Sequence, residues 1–273
     1  MARDATTGLR RLARPRPRPQ AVQSRTAVTS PPTLRVGALE LPYRHGDPEV
    51  MLRRLDDALT QASGVDLVLP CEALLTGYVS RRGDFDLTRF AEPLDGPAVT
   101  SMRALARSHG VALGVPWVER DGARCFNSYL VVDRDGATLA HYRKRRPWFP
   151  ERWATPGDLG TPTFSLAGVR VTLAVCYDIH FVSRMAAAAL ADADVLLFPS
   201  SWVDDGDDDL RDALLPRVAR RHNLWVVNAN WGDGAPVRHG VGRSRIVGPD
   251  GAELARAPEG GANLVVAAPT RRS

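Results

Sequence analysis

The feature that most restricts this chain is an alternation of short apolar runs with amphipathic segments, which begins at residue 34 and is run through twice. "LRVGALEL" (34–41) reads as a strand, "PEVMLRRLDDALTQA" (48–62) as a helix and "VDLVLP" (65–70) as a buried strand. A second helix, "AVTSMRALARSHG" (98–110), closes on Gly110, which suits a C-cap. The strand "VALGVPWVE" (111–119) and a strand–turn–strand unit, "SYLVVDRDGATLAHY" (128–142), follow. The second half repeats the coarse order: strand 169–175, helix 182–191, strand 194–200, helix 210–223, strand 224–230 and a hairpin over 242–257. Both hairpins turn on Asp-Gly, at 135–136 and 250–251, the pair that tight turns favour. The pattern is that of a layered α/β domain. Two similar halves, each a mixed sheet with helices on one face, can pack sheet against sheet.

Composition sets the limits of that domain. A chain of 273 residues, 44% apolar, can bury one large core. No run of eighteen apolar residues is present, so no transmembrane helix is expected, and the N-terminus lacks the apolar stretch of a secretory signal. Three cysteines, Cys71, Cys125 and Cys176, are an odd and sparse set that points to a reducing cytoplasm. Residues 1–30 hold seven arginines and one aspartate, a net of +6 against +5 for the whole chain, which leaves the remainder at −1. With "RPRPRP" at 14–19 and no periodic apolar face, residues 1–33 are expected to be a disordered basic tail before a domain over 34–273. The tail carries no interleaved aromatics or binding motif, so neither a nucleic-acid nor a membrane partner is expected.

Three breaks in the strand pattern carry chemistry. In "TLAVCYDIHF" (172–181) an apolar strand ends in Cys176, followed at once by polar, aromatic and acidic residues. A cysteine without a near partner is a buried small hydrophobe or a nucleophile, and a nucleophile needs a base or cation held against it. "LVLPCEALLTGY" (67–78) puts Glu72 past a strand among apolar neighbours, which raise a carboxyl pKa. "LAHYRKRRPWFPERW" (139–153) puts Lys144 just past a hairpin. Singly, Glu72 could cap the next element and Lys144 could belong to a solvated basic edge. Together they meet the needs of acyl transfer to a thiol: a base for the thiol proton, a cation for the oxyanion and an acid for the leaving amine.

At these residues the sequence resembles the nitrilase superfamily of carbon–nitrogen hydrolases. The likeness rests on "PCEALLTGY", "YRKRRPWFPERWATPGD" and "VCYDIHF…ADADVLLFPSSW", with support from "VVNANWGDG" (226–234) and "GRSRIVGPDG" (242–251). It implies a four-layer αββα sandwich with Cys176 as nucleophile, Glu72 as general base and acid, and Lys144 as the charge that steadies the tetrahedral intermediate. It further implies the backbone N–H of Tyr177 in the oxyanion hole and Glu151 as a second glutamate that orients Lys144. Two positions depart from the family pattern. Cys71 stands where proline usually precedes the glutamate, and Arg220 stands where a glutamate is usual, although Arg217 matches a common arginine.

Tyr78, Trp148, Trp202, Asn230 and Trp231 lie beside the motifs and are the candidates for substrate binding. The acidic run "DDGDDD" (204–209) lacks the spaced ligands of a calcium loop and reads as a solvated loop capping helix 210–223. No zinc-type histidine spacing and no GxSxG elbow occurs, so no metal or other cofactor is expected. The expectation is a cytoplasmic amidase, a homo-oligomer by resemblance, that acts through a Cys176 thioester on a small carboxamide or N-carbamoyl compound. Tyr177 and Asp178 after the cysteine resemble the amidase branches. Alternatives are an N-acyl or amide-forming transferase, a nitrilase, and a catalytically silent binding or scaffold relative.

Overall fold

In the computed structural model, which describes residues 33–203, 208–236 and 240–272, the two halves of the sequence become two six-stranded sheets of the same topology. The first half comprises β1 (Val36–Glu40), β2 (Pro42–Arg44), α1 (Pro48–Leu59), β3 (Leu67–Pro70), α2 (Pro97–His109), β4 (Ala112–Asp121), β5 (Arg124–Val132) and β6 (Thr138–Arg143). The second comprises β7 (Thr163–Leu166), β8 (Val169–Leu173), α3 (Val182–Met185), α4 (Ala187–Asp192), β9 (Val195–Pro199), α5 (Asp208–His222), β10 (Trp225–Ala229), β11 (Gly232–Ala235), β12 (Arg245–Val247) and β13 (Glu253–Arg256). β14 (Asn263–Ala267) then returns to the first sheet.

The strand orders are β14-β1-β3-β4-β5-β6 and β13-β12-β10-β9-β8-β7. In each sheet three successive strands are parallel, an antiparallel hairpin continues one side, and an antiparallel edge strand closes the other. Strands buried on both faces explain the near-continuous apolar runs. Along β1, Val36 and Ala38 face the opposite sheet while Leu39 faces the helices; along β9, Val195 and Leu197 face the opposite sheet while Leu196 and Phe198 face the helices. Met51 and Leu55 of α1 and Val99 and Met102 of α2 cover the first sheet, and Leu215, Val218 and Ala219 of α5 cover the second. The layers are therefore helix, sheet, sheet, helix, the αββα sandwich expected from the sequence.

Local signals mark the helix ends. Asp47 caps α1 through Val50 N with Pro48 in the first turn, and Gly110 ends α2 at a φ of +62°, as its position suggested. Four strands were not anticipated: β2, β7, β11 and β14 are short or lie at edges, where the period-two signal is weakest. The helix expected over 182–191 is broken at Ala186 into α3 and α4. Of the tail expected over 1–33, Thr33 alone is described, where it bridges to Thr270; the rest lies outside the described residues, as do residues 204–207 of the acidic run. Among the described residues no helix is long and apolar enough to cross a membrane.

Candidate active site

The carboxyl ends of parallel strands meet at one end of the inter-sheet core, which is where open α/β sheets present their reactive groups. Glu72 follows Pro70 of β3 by two residues, and Ser201 follows Pro199 of β9 by two, the equivalent place in the other half. The two residues are tied by two hydrogen bonds, both donated by the serine. Ser201 N donates to Glu72 Oε2 at 2.9 Å and Ser201 Oγ to the Glu72 carbonyl at 2.7 Å.

Lys144 stands one residue past β6, its N–H donating to the Asn127 carbonyl of β5 and its own carbonyl accepting from Gly157 N. Its Nζ lies 2.7 Å from Glu72 Oε1 and 2.8 Å from Glu151 Oε2, with all three side chains fully buried. Glu151 reaches this position through a turn on Trp148: Trp148 N donates to Glu151 Oε2 and Glu151 N to the Trp148 carbonyl. Asn127 spans the same two carboxylates, its Nδ2 donating to Glu72 Oε1 at 2.8 Å and to Glu151 Oε1 at 2.7 Å. Burial works against the charge on Lys144, but Glu151 and Glu72 outweigh it and hold its ammonium well above the ordinary lysine range. Burial pushes the Glu72 carboxyl up, the Lys144 charge only partly opposing it.

Cys176 opens a single 3-10 turn, Cys176–His180, after β8. Its φ of +47° is a conformation that non-glycine residues seldom adopt, and such strain persists only where the surroundings enforce it. Asp178 supplies that enforcement. Its carboxylate accepts from Val175 N on the near side of the cysteine, from Tyr142 Oη of β6 at 2.7 Å and from Arg146 N beside the lysine at 2.7 Å. Burial lifts the Asp178 carboxyl to about 6 against those hydrogen bonds. Burial, and next the Glu72 charge, push the Cys176 pKa well above the usual value, so the resting group is a thiol.

Cys176 is 8% exposed and opens onto a cavity of about 480 Å³. Trp148, Tyr177, His180, Phe181 and Trp202 form most of its wall, and Ser201 also lines it. Of the candidates for substrate binding, Trp148 and Trp202 thus line the cavity. Tyr78 is buried behind it, stacked on Trp148 at 6.5 Å with Lys144 Nζ 5.9 Å from its ring centroid. Asn230 is fully buried and its amide is spent on structure: Oδ1 accepts from Ser200 Oγ and Trp202 N, and Nδ2 donates to the Gly242 carbonyl. Trp231 packs on Tyr43 and donates to the Trp202 carbonyl. Sequence reasoning missed Asn127 as a site residue and the bracing role of Asp178. The available signal for Asn127 was a lone polar residue in phase with Tyr129 and Val131, the face of β5 turned to the other sheet. Among the described residues no group of three or more His, Cys, Asp or Glu side chains is disposed to hold a metal ion.

The family described as carbon-nitrogen hydrolase matches residues 35–272. An (R)-stereoselective amidase of Pseudomonas sp. is 32% identical over 72% of this chain and 70% of its own length. An N-carbamoylputrescine amidase of Arabidopsis thaliana is 28% identical over 76% of each chain. Among solved structures, an amidase of Nesterenkonia sp. superposes with a TM-score of 0.73 and 26% identity, covering 87% of this chain and 90% of that one. A variant of that amidase, 25% identical to this chain with a TM-score of 0.73 over 87% of this chain and 90% of that one, shows covalent addition of the acetamide moiety of fluoroacetamide at its active-site cysteine.

Proposed function

Because the chain belongs to the carbon–nitrogen hydrolase family, and is an enzyme of that kind, we propose that it is an amidase that cleaves a small carboxamide or N-carbamoyl compound through a thioester on Cys176. The observation that carries this reading is the convergence of one thiol, at the cavity wall, with a buried ammonium held between two carboxylates. The raised pKa of Glu72 makes it a competent base for a thiol whose own pKa is raised. As Glu72 takes the thiol proton, Sγ attacks the amide carbon. The oxyanion forms against the Tyr177 N–H and Lys144, whose buried ammonium is already oriented by two carboxylates. Collapse breaks the C–N bond, and the proton on Glu72 passes to the departing nitrogen. Water activated by the same carboxylate then releases the acid. Glu151 holds Lys144 in line through both steps.

Trp148, Tyr177, Phe181 and Trp202 give the acyl group an aromatic enclosure. The domain that performs the reaction is residues 34–273. The decisive experiment is the intact mass of the protein after exposure to a panel of primary amides and N-carbamoyl amines. An acyl adduct mapped to Cys176, and lost in Cys176→Ala, is the expected result; turnover without any Cys176 adduct, or turnover retained in Cys176→Ala, overturns it.

A further inference from the structure

Resting on that reading of Cys176 and Glu72, we propose that Asn127 is a positioning residue which, together with Lys144, occupies Oε1 of Glu72 and so confines proton transfer from the thiol to Oε2. A carboxylate oxygen has two lone-pair sites. Both sites of Glu72 Oε1 are taken, by Lys144 Nζ at 2.7 Å and Asn127 Nδ2 at 2.8 Å. Oε2 accepts from Ser201 N at 2.9 Å and keeps one lone pair for the thiol proton. The proton balance is then atom-specific: Sγ–H breaks as Oε2–H and Sγ–C form, and the Oε2 proton later goes to the leaving nitrogen as C–N breaks.

The second hydrogen of the Asn127 amide reaches Glu151 Oε1 at 2.7 Å, while Glu151 Oε2 accepts from Lys144 and Trp148 N. Every one of these Glu151 partners is a donor, so Glu151 anchors the two struts. One strut is charged and the other neutral. A second cation in place of Asn127 would further favour the ionised form of Glu72 and weaken it as a base. The other titratable groups facing this carboxylate are Cys176, Tyr78 from the segment after β3, and Cys71 beside it. Asn127 does not line the cavity, so its influence runs through Glu72.

The test compares wild type with Asn127→Ala, Asn127→Ser and Asn127→Asp across pH, using a primary amide that acylates Cys176 in the wild type, with thermal melting to establish folding. In Asn127→Ala the expected kcat falls about 10–100-fold at unchanged KM, the scale of a lost hydrogen bond to a charged group. The acidic limb of its pH profile moves to higher pH, because removing a donor favours the protonated carboxyl. Asn127→Ser, which keeps one donor, falls between wild type and Asn127→Ala. Asn127→Asp, equal in size but an acceptor, is at least as impaired as Asn127→Ala at neutral pH; should it not fold, Ala and Ser decide. A wild-type acidic limb in a folded Asn127→Ala, or wild-type kcat in Asn127→Asp, overturns the proposal. Absence of acylation in the wild type would instead overturn the underlying reading of Cys176, and the proposal with it.

Discussion

At the scale of single residues, the proposed chemistry depends on a thiol kept protonated until its base acts. Burial and the adjacent Glu72 charge both raise the Cys176 pKa, and Lys144 lowers it. Glu72→Gln therefore has two expected effects. Turnover falls about 10²–10⁴-fold, as the loss of general acid–base catalysis requires. Alkylation of Cys176 by iodoacetamide, followed against pH, shifts to lower pH, since the charge opposing the thiolate is gone while the ammonium remains. Lys144→Ala shifts the same profile to higher pH, and profiles unchanged in both variants would show that the three groups do not act on one another. Cysteine, glutamate and lysine were legible because each stands in a short local motif at a strand end. Asn127 and Asp178 were not, since what they do is defined by partners 24 to 55 residues away in sequence for Asn127 and 32 to 36 for the cross-links of Asp178.

At the scale of elements, the lysine is aimed by the strand that ends before it. Arg143, the last residue of β6, is buried with its guanidinium 3.9 Å from the Phe126 ring centroid and hydrogen-bonded to Glu119 of β4 at 2.6 and 3.0 Å. Burial alone would raise the Glu119 carboxyl, but hydrogen bonds from His141, Arg143 and Ser128 prevail and hold it at about 2. A carboxyl depressed in the folded state contributes stability that is complete above its ordinary value of 4.5 and is lost as pH falls towards about 2. Glu119→Gln should thus lower stability by about 2–3 kcal/mol at pH 7. The difference in melting temperature from wild type should shrink steadily between pH 5 and pH 2; a constant difference would dissociate Glu119 from the acid response. On the other side of the lysine, Gly157 N donates to the Lys144 carbonyl, and a Cβ at residue 157 would collide with the Arg143 carbonyl oxygen. Gly157→Ala should therefore cost activity as well as stability, with kcat falling at least tenfold in the folded fraction. Full activity in that fraction would show that the Lys144 backbone tolerates displacement.

At the scale of the whole molecule, two halves of like topology are joined where the chain ends. β14 completes the first sheet, and five residues later Arg272 reaches the helices of the second: its guanidinium pairs with Asp194 and donates to the carbonyls of Ala191 and His222, at the C-terminal ends of α4 and α5. A cation there satisfies carbonyls that a helix leaves open and opposes the helix dipole. Arg272→Ala is expected to cost about 2 kcal/mol, roughly 4–8 °C in melting temperature for a chain of this size, with kcat unchanged; an unaltered melt would mean the clamp is without energetic effect. The sequence by itself determined the layered class, the repeated halves, the Asp-Gly hairpins and the cysteine, glutamate and lysine motifs, because periodicity, turn chemistry and residue type are local properties. Only the tertiary structure decided that Trp148 and Trp202 wall the cavity while Asn230 braces it, that Asp178 locks the cysteine turn, and that Asn127 bridges two carboxylates. Those outcomes depend on which strand ends the sheet-on-sheet packing brings together, and no window of neighbouring residues contains that information.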